Sequence, residues 1–408
     1  MGPSERYDLS RRDGELIRVA ASVLVVVSHC VHFWVEQFYG IHSIPSLGFL
    51  ATIIDQFTRF TVPAFFFLSG FGLTVQFLKE PPKLRSYYRF RIPKVLAPFL
   101  LWSGFSLIRH LDFLGDLPWH TAPLTSAGIF ARMLFLDGFD YQYYFLIIIF
   151  QFYLIFPFVY RLAKSRASLV TVFIVHMIFM SPIEAFLEPW GLEIPKLHSN
   201  LLLYYGFYCF VGMHAAWHRD FLSGLLRRWS GFQALGFYLL ALALIIGEYY
   251  LNIEQGKALD ESDHFNRWSV LIYCLACLLL FMKCKPGLER IHKHTHLSFL
   301  YTGVAPFTFF VYLAHTHILR AVDFLCWEVT LGDFLRRIVF VVMGTYGLAW
   351  MAQWLLEDYP KIRFALGLPK ARLNPGDLPG FTYFAALRLK IQLKPAEPAE
   401  LQSLQSKH

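Results

Sequence analysis

The chain has 408 residues, 56% of them hydrophobic and 16% charged, with 42 Phe and a formal net charge of +8. A soluble protein of this length carries nearer a quarter charged residues, so the composition argues against an aqueous globular domain. The positive balance does not mark a nucleic-acid binder either, because the basic residues fall between apolar runs of membrane length and read as topology signals.

A spanning helix needs about 20 mostly apolar residues. Ten runs are candidates, the fifth and eighth of them short: 16–35, 59–78, 92–109, 143–160, 167–183, 201–217, 232–250, 268–282, 300–319 and 335–356. The first follows Arg6, Arg11 and Arg12 like a signal peptide. It is nevertheless long enough to span and lacks a small-x-small cleavage site, so it reads as a retained helix. The stretch 47–58 reads as a separate interfacial segment. If the N-terminus is inside, alternation puts Lys79, Lys83, Arg85, Arg89, Arg91 and Lys94 in one cytoplasmic loop. Arg161, Lys164 and Arg166, then Arg219, Arg227 and Arg228, then Lys283, Lys285, Arg290 and Lys293 follow on the same side. The opposite loops carry mainly acids, among them Glu36, Asp55, Asp112, Asp116, Asp137 and Asp140. Losing one helix would invert every later loop and destroy this pattern. The expectation is an all-α polytopic transmembrane bundle of about ten helices over 1–357, with both termini cytoplasmic. Residues 358–408 form a basic tail too broken by proline to be a second enzymatic domain.

The six cysteines lie in or beside apolar runs, and Cys274-x-x-Cys277 sits mid-helix without a turn, so no metal site is expected. Ser69 before Gly70 reads as a small-residue helix contact rather than a nucleophile. Arg320 and Asp323, one turn apart, read as a paired helix end. His315 and His317 are two positions apart and point to different faces, which excludes a metal pair. His292, His294 and His296 read as a solvated loop cluster.

Ionisable groups at bilayer depth are costly, so those that occur mark function. The first helix carries Arg18 and, eleven positions on, His29. At about 100° per residue they return to nearly the same face, and the axial separation of about 16 Å puts His29 near mid-membrane if Arg18 is near the inner surface. Glu15 lies one turn before Arg18 and can pair with it.

The segment Arg18-Val-Ala-Ala-Ser-Val-Leu-Val-Val-Val-Ser-His29 resembles the first helix of acyltransferase family 3 membrane proteins, whose signature there is an Arg, ten residues and a His. Phe60-Thr-Val-Pro-Ala-Phe-Phe-Phe-Leu-Ser69-Gly70 is similar to the family's second helix. Arg91-Ile-Pro-Lys94-Val-Leu-Ala-Pro98 followed by Trp102 resembles the basic start of its third. Tyr144-Phe-Leu with Gln151-Phe-Tyr-Leu-Ile-Phe-Pro157 looks like its fourth, and Phe310-Val-Tyr-Leu-Ala-His315 like its penultimate helix. The resemblance spans roughly residues 13–357 and is to the stand-alone form, without the SGNH-hydrolase-like domain of longer members. Two positions depart from the pattern. Lys94 replaces the usual second Arg and loses the bidentate fork. Gln142-Tyr143-Tyr144 stands where many members have a His beside an aromatic pair.

The resemblance implies a multi-pass enzyme of the inner cell membrane. It would move an acyl group, acetyl or succinyl, from cytoplasmic acyl-CoA to a hydroxyl of a cell-envelope carbohydrate or lipid-linked glycan. His29 is then the catalytic base and Arg18 its essential companion, binding donor or stabilising charge. Arg89, Arg91 and Lys94 suit the nucleotide phosphates of the donor, although positive-inside topology alone also explains charge in that loop. The partners expected are acyl-CoA, the glycan acceptor and membrane lipid, with no nucleic acid and no metal. The residues by themselves also admit a glycan transporter or flippase, with Arg18 and His29 lining a conduit, or a silent scaffold.

Overall fold

Ser10 and Asp13 cap the start of the first helix: the Asp13 carboxylate accepts from Ser10 N–H (2.7 Å) and Oγ–H (2.6 Å), and Asp13 N–H donates back to Ser10 Oγ (3.3 Å). The structure, a computed structural model, describes residues 10–40, 45–117, 120–179, 199–257, 262, 265, 267–294, 303–325 and 330–369. Within them the chain is helical and contains no strand. In chain order the helices are α1 (Arg11–Gly40), α2 (Pro45–Thr58), α3 (Thr61–Gln76), α4 (Leu84–Leu107), α5 (Leu111–Asp116), α6 (Pro123–Arg132), α7 (Tyr144–Val159) and α8 (Arg166–Ile178). Then come α9 (Leu202–Trp217), α10 (Arg219–Arg228), α11 (Gly231–Glu254), α12 (Trp268–His294), α13 (Thr308–Asp323), α14 (Leu331–Leu355) and α15 (Pro360–Leu366).

Each of the ten apolar runs holds a helix. Six segments among the described residues are long and apolar enough to cross a membrane: Arg12–His32, Gly48–Gln76, Tyr141–Val159, Gly231–Glu254, Trp268–Gly287 and Leu331–Leu355. Of the other four runs, α8, α9 and α13 are shorter, and α4 carries Arg85, Arg89, Arg91 and Lys94. The outward faces are apolar, as lipid contact requires. On α11, Leu235, Leu239, Leu240 and Leu251 are exposed, while Ala234, Ala241, Ile245 and Tyr249 face inward. Together these features make the chain a multi-pass membrane protein.

One expectation is overturned here. Residues 47–58 are not a separate interfacial segment: α2 continues into α3 through a two-residue break, and Ala51, Thr52, Asp55 and Gln56 are buried. The helix packs on α1 because its apolar positions face inward on both sides of Asp55, whose charge is met by Arg59.

Helix α3 crosses α9 backbone to backbone. A Cβ on Gly70 would stand 2.0 Å from the Cys209 carbonyl oxygen, and one on Gly212 would stand 2.1 Å from that of Phe67. Only glycine permits this approach. Ser69 meanwhile donates to Phe65 O within its own helix (2.8 Å).

The basic helix ends gather at one side. Lys285 on α12 pairs with Asp13 at 2.9 Å, both side chains buried. Arg91 bonds Gln76 across the α3–α4 turn, Trp217 Nε1 donates to Tyr160 O (2.9 Å), and Arg219 lies over the Phe71 ring. Ile17, Phe71, Ala216, Leu226 and Met282 form one cluster that ties these ends together. The residues after 357 begin with α15, which packs on α4, with Trp102 Nε1 donating to Leu366 O (3.2 Å). The rest of the expected tail, 370–408, lies outside the described residues, as do His296 and the side chains of His292 and His294.

Candidate active site

Helix α1 packs against α2, α3, α13 and α14, and His29 on it faces protein. His29, half-buried, lies against the ring of His315 from α13, with centroids 5.1 Å apart and planes 25° apart. On its other side stands Tyr141, at 4.9 Å and 57°. His32 and Arg59 are close enough for their charges to act on His29.

The tautomer of His315 follows from its bonds. Nδ1 lies 2.8 Å from Tyr312 O and 3.2 Å from Val311 O, and since carbonyls only accept, Nδ1 carries the hydrogen. Nε2 therefore holds a lone pair. It is buried and has no hydrogen-bond partner among the described residues. A buried acceptor left open beside a second imidazole is a place where a proton can be taken up or passed on.

A family model described as an acyltransferase domain matches residues 14–354. The chain belongs to acyltransferase family 3. No curated protein and no solved structure matches it. The family makes it a membrane acyltransferase, and two of the stretches that carry the resemblance, those ending at His29 and His315, meet here.

The remaining site residues fall in two groups. Arg18 and Arg91 both act electrostatically on the Tyr153 hydroxyl, which brings the charged end of α1 and the start of α4 to one place. Arg18 is exposed, and Arg91 is half-buried. Lys94, exposed, is three positions on and shares the Arg91 face of α4. Arg89, also exposed, is two positions back and is turned away from that face. Arg18 and His29 thus share a helix but belong to different stations, one basic and one imidazole-lined.

His317 points elsewhere, as its spacing implied: its ring packs 5.4 Å from Trp102, and its Nε2 lies 3.3 Å from the Tyr143 hydroxyl. Arg320 and Asp323 do not pair with each other. Arg320 reaches Asp140 at 2.5 Å, and Asp323 takes Arg337 of α14 at 2.7 Å. The cross-helix partners win because both acids already face them across packed helices, whereas the one-turn pair would lie along the outside.

Sequence reasoning missed the buried polar cluster behind His29. Asp55, placed in an outer loop on sequence grounds, is buried and bound by Arg59 at 2.5 Å and by Gln56 Nε2 at 3.1 Å, with Ser28 Oγ at 3.4 Å. Arg267, fully buried, donates to Gln56 and to Ile245 O. The signal was present: Asp55 and Arg59 are an i,i+4 acid–base pair at the end of α2, within an otherwise apolar stretch. Drawing the helix boundary at 59 hid it.

Proposed function

We propose that this membrane acyltransferase moves an acyl group from cytoplasmic acyl-CoA to a hydroxyl of a cell-envelope carbohydrate or lipid-linked glycan, in the inner membrane with both termini inside. The observation that carries the reading is the His29–His315 pair, an imidazole stack with an open acceptor nitrogen at the centre of the bundle. In this reading His29 takes the proton of the acceptor hydroxyl as its oxygen attacks the thioester carbon. The C–S bond breaks, and the departing thiolate receives that proton from His29. His315 fixes the ring and shares its charge. Arg18, Arg91 and Lys94, at the basic end of the bundle, hold the nucleotide phosphates through charge-assisted bonds, with the thioester arm extending inward along α1. The basic end faces the cytoplasm by the positive-inside rule.

The test is transfer of radiolabel from acetyl-CoA to envelope glycan by purified protein in lipid nanodiscs. Wild type should label the glycan, and His29→Ala should lose about 10²–10⁴ in rate at unchanged abundance. A His29→Ala protein that keeps more than half the wild-type turnover removes the centre of the reading.

A further inference from the structure

Beyond the imidazole pair, on the side away from Arg91, the structure holds a second charged cluster that the acyl-transfer chemistry does not use. Asp140 has a side chain only 2% exposed. Two guanidinium groups reach it, Arg109 from the end of α4 and Arg320 from the end of α13, the latter at 2.5 Å. Ser106 Oγ donates to the same carboxylate at 2.6 Å, and His317 Nε2 stands 4.0 Å away. One anion thus faces two permanent cations. The neighbouring acids do not redress the balance, because Asp323 is matched by Arg337 and Asp333 by Arg336.

The exposure is asymmetric too. Asp140 is sealed in, while the side chains of Arg109 and Arg320 are 33% and 39% exposed, so the open side of the cluster is cationic. Arg320 Nη1 is a buried nitrogen with no hydrogen-bond partner among the described residues. An ion pair that served only to pin helices would need one arginine, and the buried Nη1 of Arg320 is costly to leave without an acceptor.

Position gives the cluster its meaning. Asp140 directly precedes Tyr141, whose ring packs on His29, and Arg320 lies five positions beyond His315 on α13, about 7.5 Å along the axis. Arg109 lies eighteen positions beyond Arg91, about 27 Å along a straight helix, which is close to the hydrocarbon thickness. The two basic stations therefore approach the imidazole pair from opposite ends of the bundle.

We infer that Arg109 and Arg320, held by Asp140, form an acceptor subsite for an anionic saccharide, one bearing a carboxylate or a phosphate near the hydroxyl to be acylated. The inference rests on the acyltransferase reading for the word acceptor, but the anion site itself does not depend on it. The planar guanidinium forks match the oxygens of either group, and Asp140 fixes their spacing.

The experiment is calorimetry on the full chain in nanodiscs of zwitterionic lipid, titrated with glucuronate, glucose 1-phosphate and glucose in the absence of any acyl donor. At least one anionic sugar should bind roughly tenfold more tightly than glucose, as loss or gain of one charged hydrogen bond implies. Which of the two binds identifies carboxylate or phosphate. The double variant Arg109→Gln, Arg320→Gln should lose that preference, and Arg320→Lys, which keeps the charge and the fold, should retain part of it. Equal binding of the three sugars, no binding in the millimolar range, or an Arg320→Lys protein with no preference at all overturns the subsite. His29→Ala should bind the anion as wild type does, so loss of transfer with retained anion binding, or transfer without anion preference, tells which of the two readings has failed.

Discussion

The imidazole of His315 lies nearly parallel to that of His29, and its hydrogen bonds to Tyr312 O and Val311 O leave Nε2 as an acceptor inside the bundle. The arrangement separates what a ring does by packing from what a nitrogen does by accepting. His315→Phe keeps the stack and removes the acceptor. Turnover of acyl-CoA by this variant should fall by about 10² or more, with the apparent KM for the donor unchanged. Wild-type kcat in His315→Phe would reduce His315 to a packing residue.

The α3–α9 crossing should be intolerant of any side chain. Gly70→Ala and Gly212→Ala each drive a methyl into a facing backbone carbonyl, and overpacking of this kind costs typically about 1–3 kcal/mol. Gly72→Ala is the control, since a Cβ there meets nothing within 4 Å. Thermal unfolding in nanodiscs should show both crossing variants below wild type and Gly72→Ala level with it. Equal melting of all three alanine variants would mean that the helices do not touch as described.

Asp55→Asn should destabilise far more than Asp137→Asn. The Asp55–Arg59 pair is buried, and removing one partner of such a pair costs about 3–5 kcal/mol. Arg132–Asp137 is a rim pair with Arg132 largely exposed, worth at most about 1 kcal/mol. Because the Arg59 charge reaches His29, Asp55→Asn should also slow transfer in the fraction that folds. Similar melting temperatures for the two variants would place Asp55 in solvent.

These residues show where sequence was a good guide and where it was not. The helices in the ten apolar runs were readable because hydropathy reports removal from water directly, and His29 stood out because an apolar run has no need of an imidazole. The Arg18-to-His29 spacing put both residues on one helix, yet it could not say that Arg18 and Arg91 would both act on Tyr153 while His29 met His315. Those contacts join positions far apart in the chain, and local periodicity carries no record of them. Asp140 illustrates the same limit. Its loop placement was sound, but a loop acid next to a helix start gives no sign that two arginines from other helices will converge on it. Asp55 is illegible for another reason: a lone acid reads as a loop residue, and only its partner Arg59, one turn later, makes it tolerable when buried.

Arg18 should tolerate lysine poorly. It stands with Arg91 where their charges act together on Tyr153, and a fork that holds two oxygens is not replaced by a point charge. Arg18→Lys should insert normally and transfer acyl groups several-fold more slowly, read in the same radiolabel assay. Equal rates would show that charge alone is required at that position.

The donor dock decides between enzyme and transporter. Arg91 and Lys94 share one face of α4, and Pro93 between them lacks an N–H and so leaves the carbonyl of Arg89 without its helix partner. Arg91 is already oriented by its bond to Gln76, and its charge and that of Arg18 from α1 both act on Tyr153, with Lys94 one turn further along α4. A coenzyme A nucleotide carries several phosphate charges, and a mouth of this kind holds the end of the donor that does not react. Groups that bind the unreactive end contribute mainly uniform binding. Arg91→Gln together with Lys94→Gln should therefore raise the KM for acyl-CoA more than it lowers kcat, and added salt should mimic the defect because exposed phosphate contacts are screened. Arg89→Gln, on a different face, should leave KM near wild type. Calorimetry with a non-hydrolysable acyl-CoA analogue isolates the step: wild type should bind, the double variant should bind more weakly, and His29→Ala should bind as wild type does. Well-folded wild-type protein with no affinity for the analogue would leave α4 with nothing but a topology signal, and the conduit reading of Arg18 and His29 would then stand in place of the enzyme.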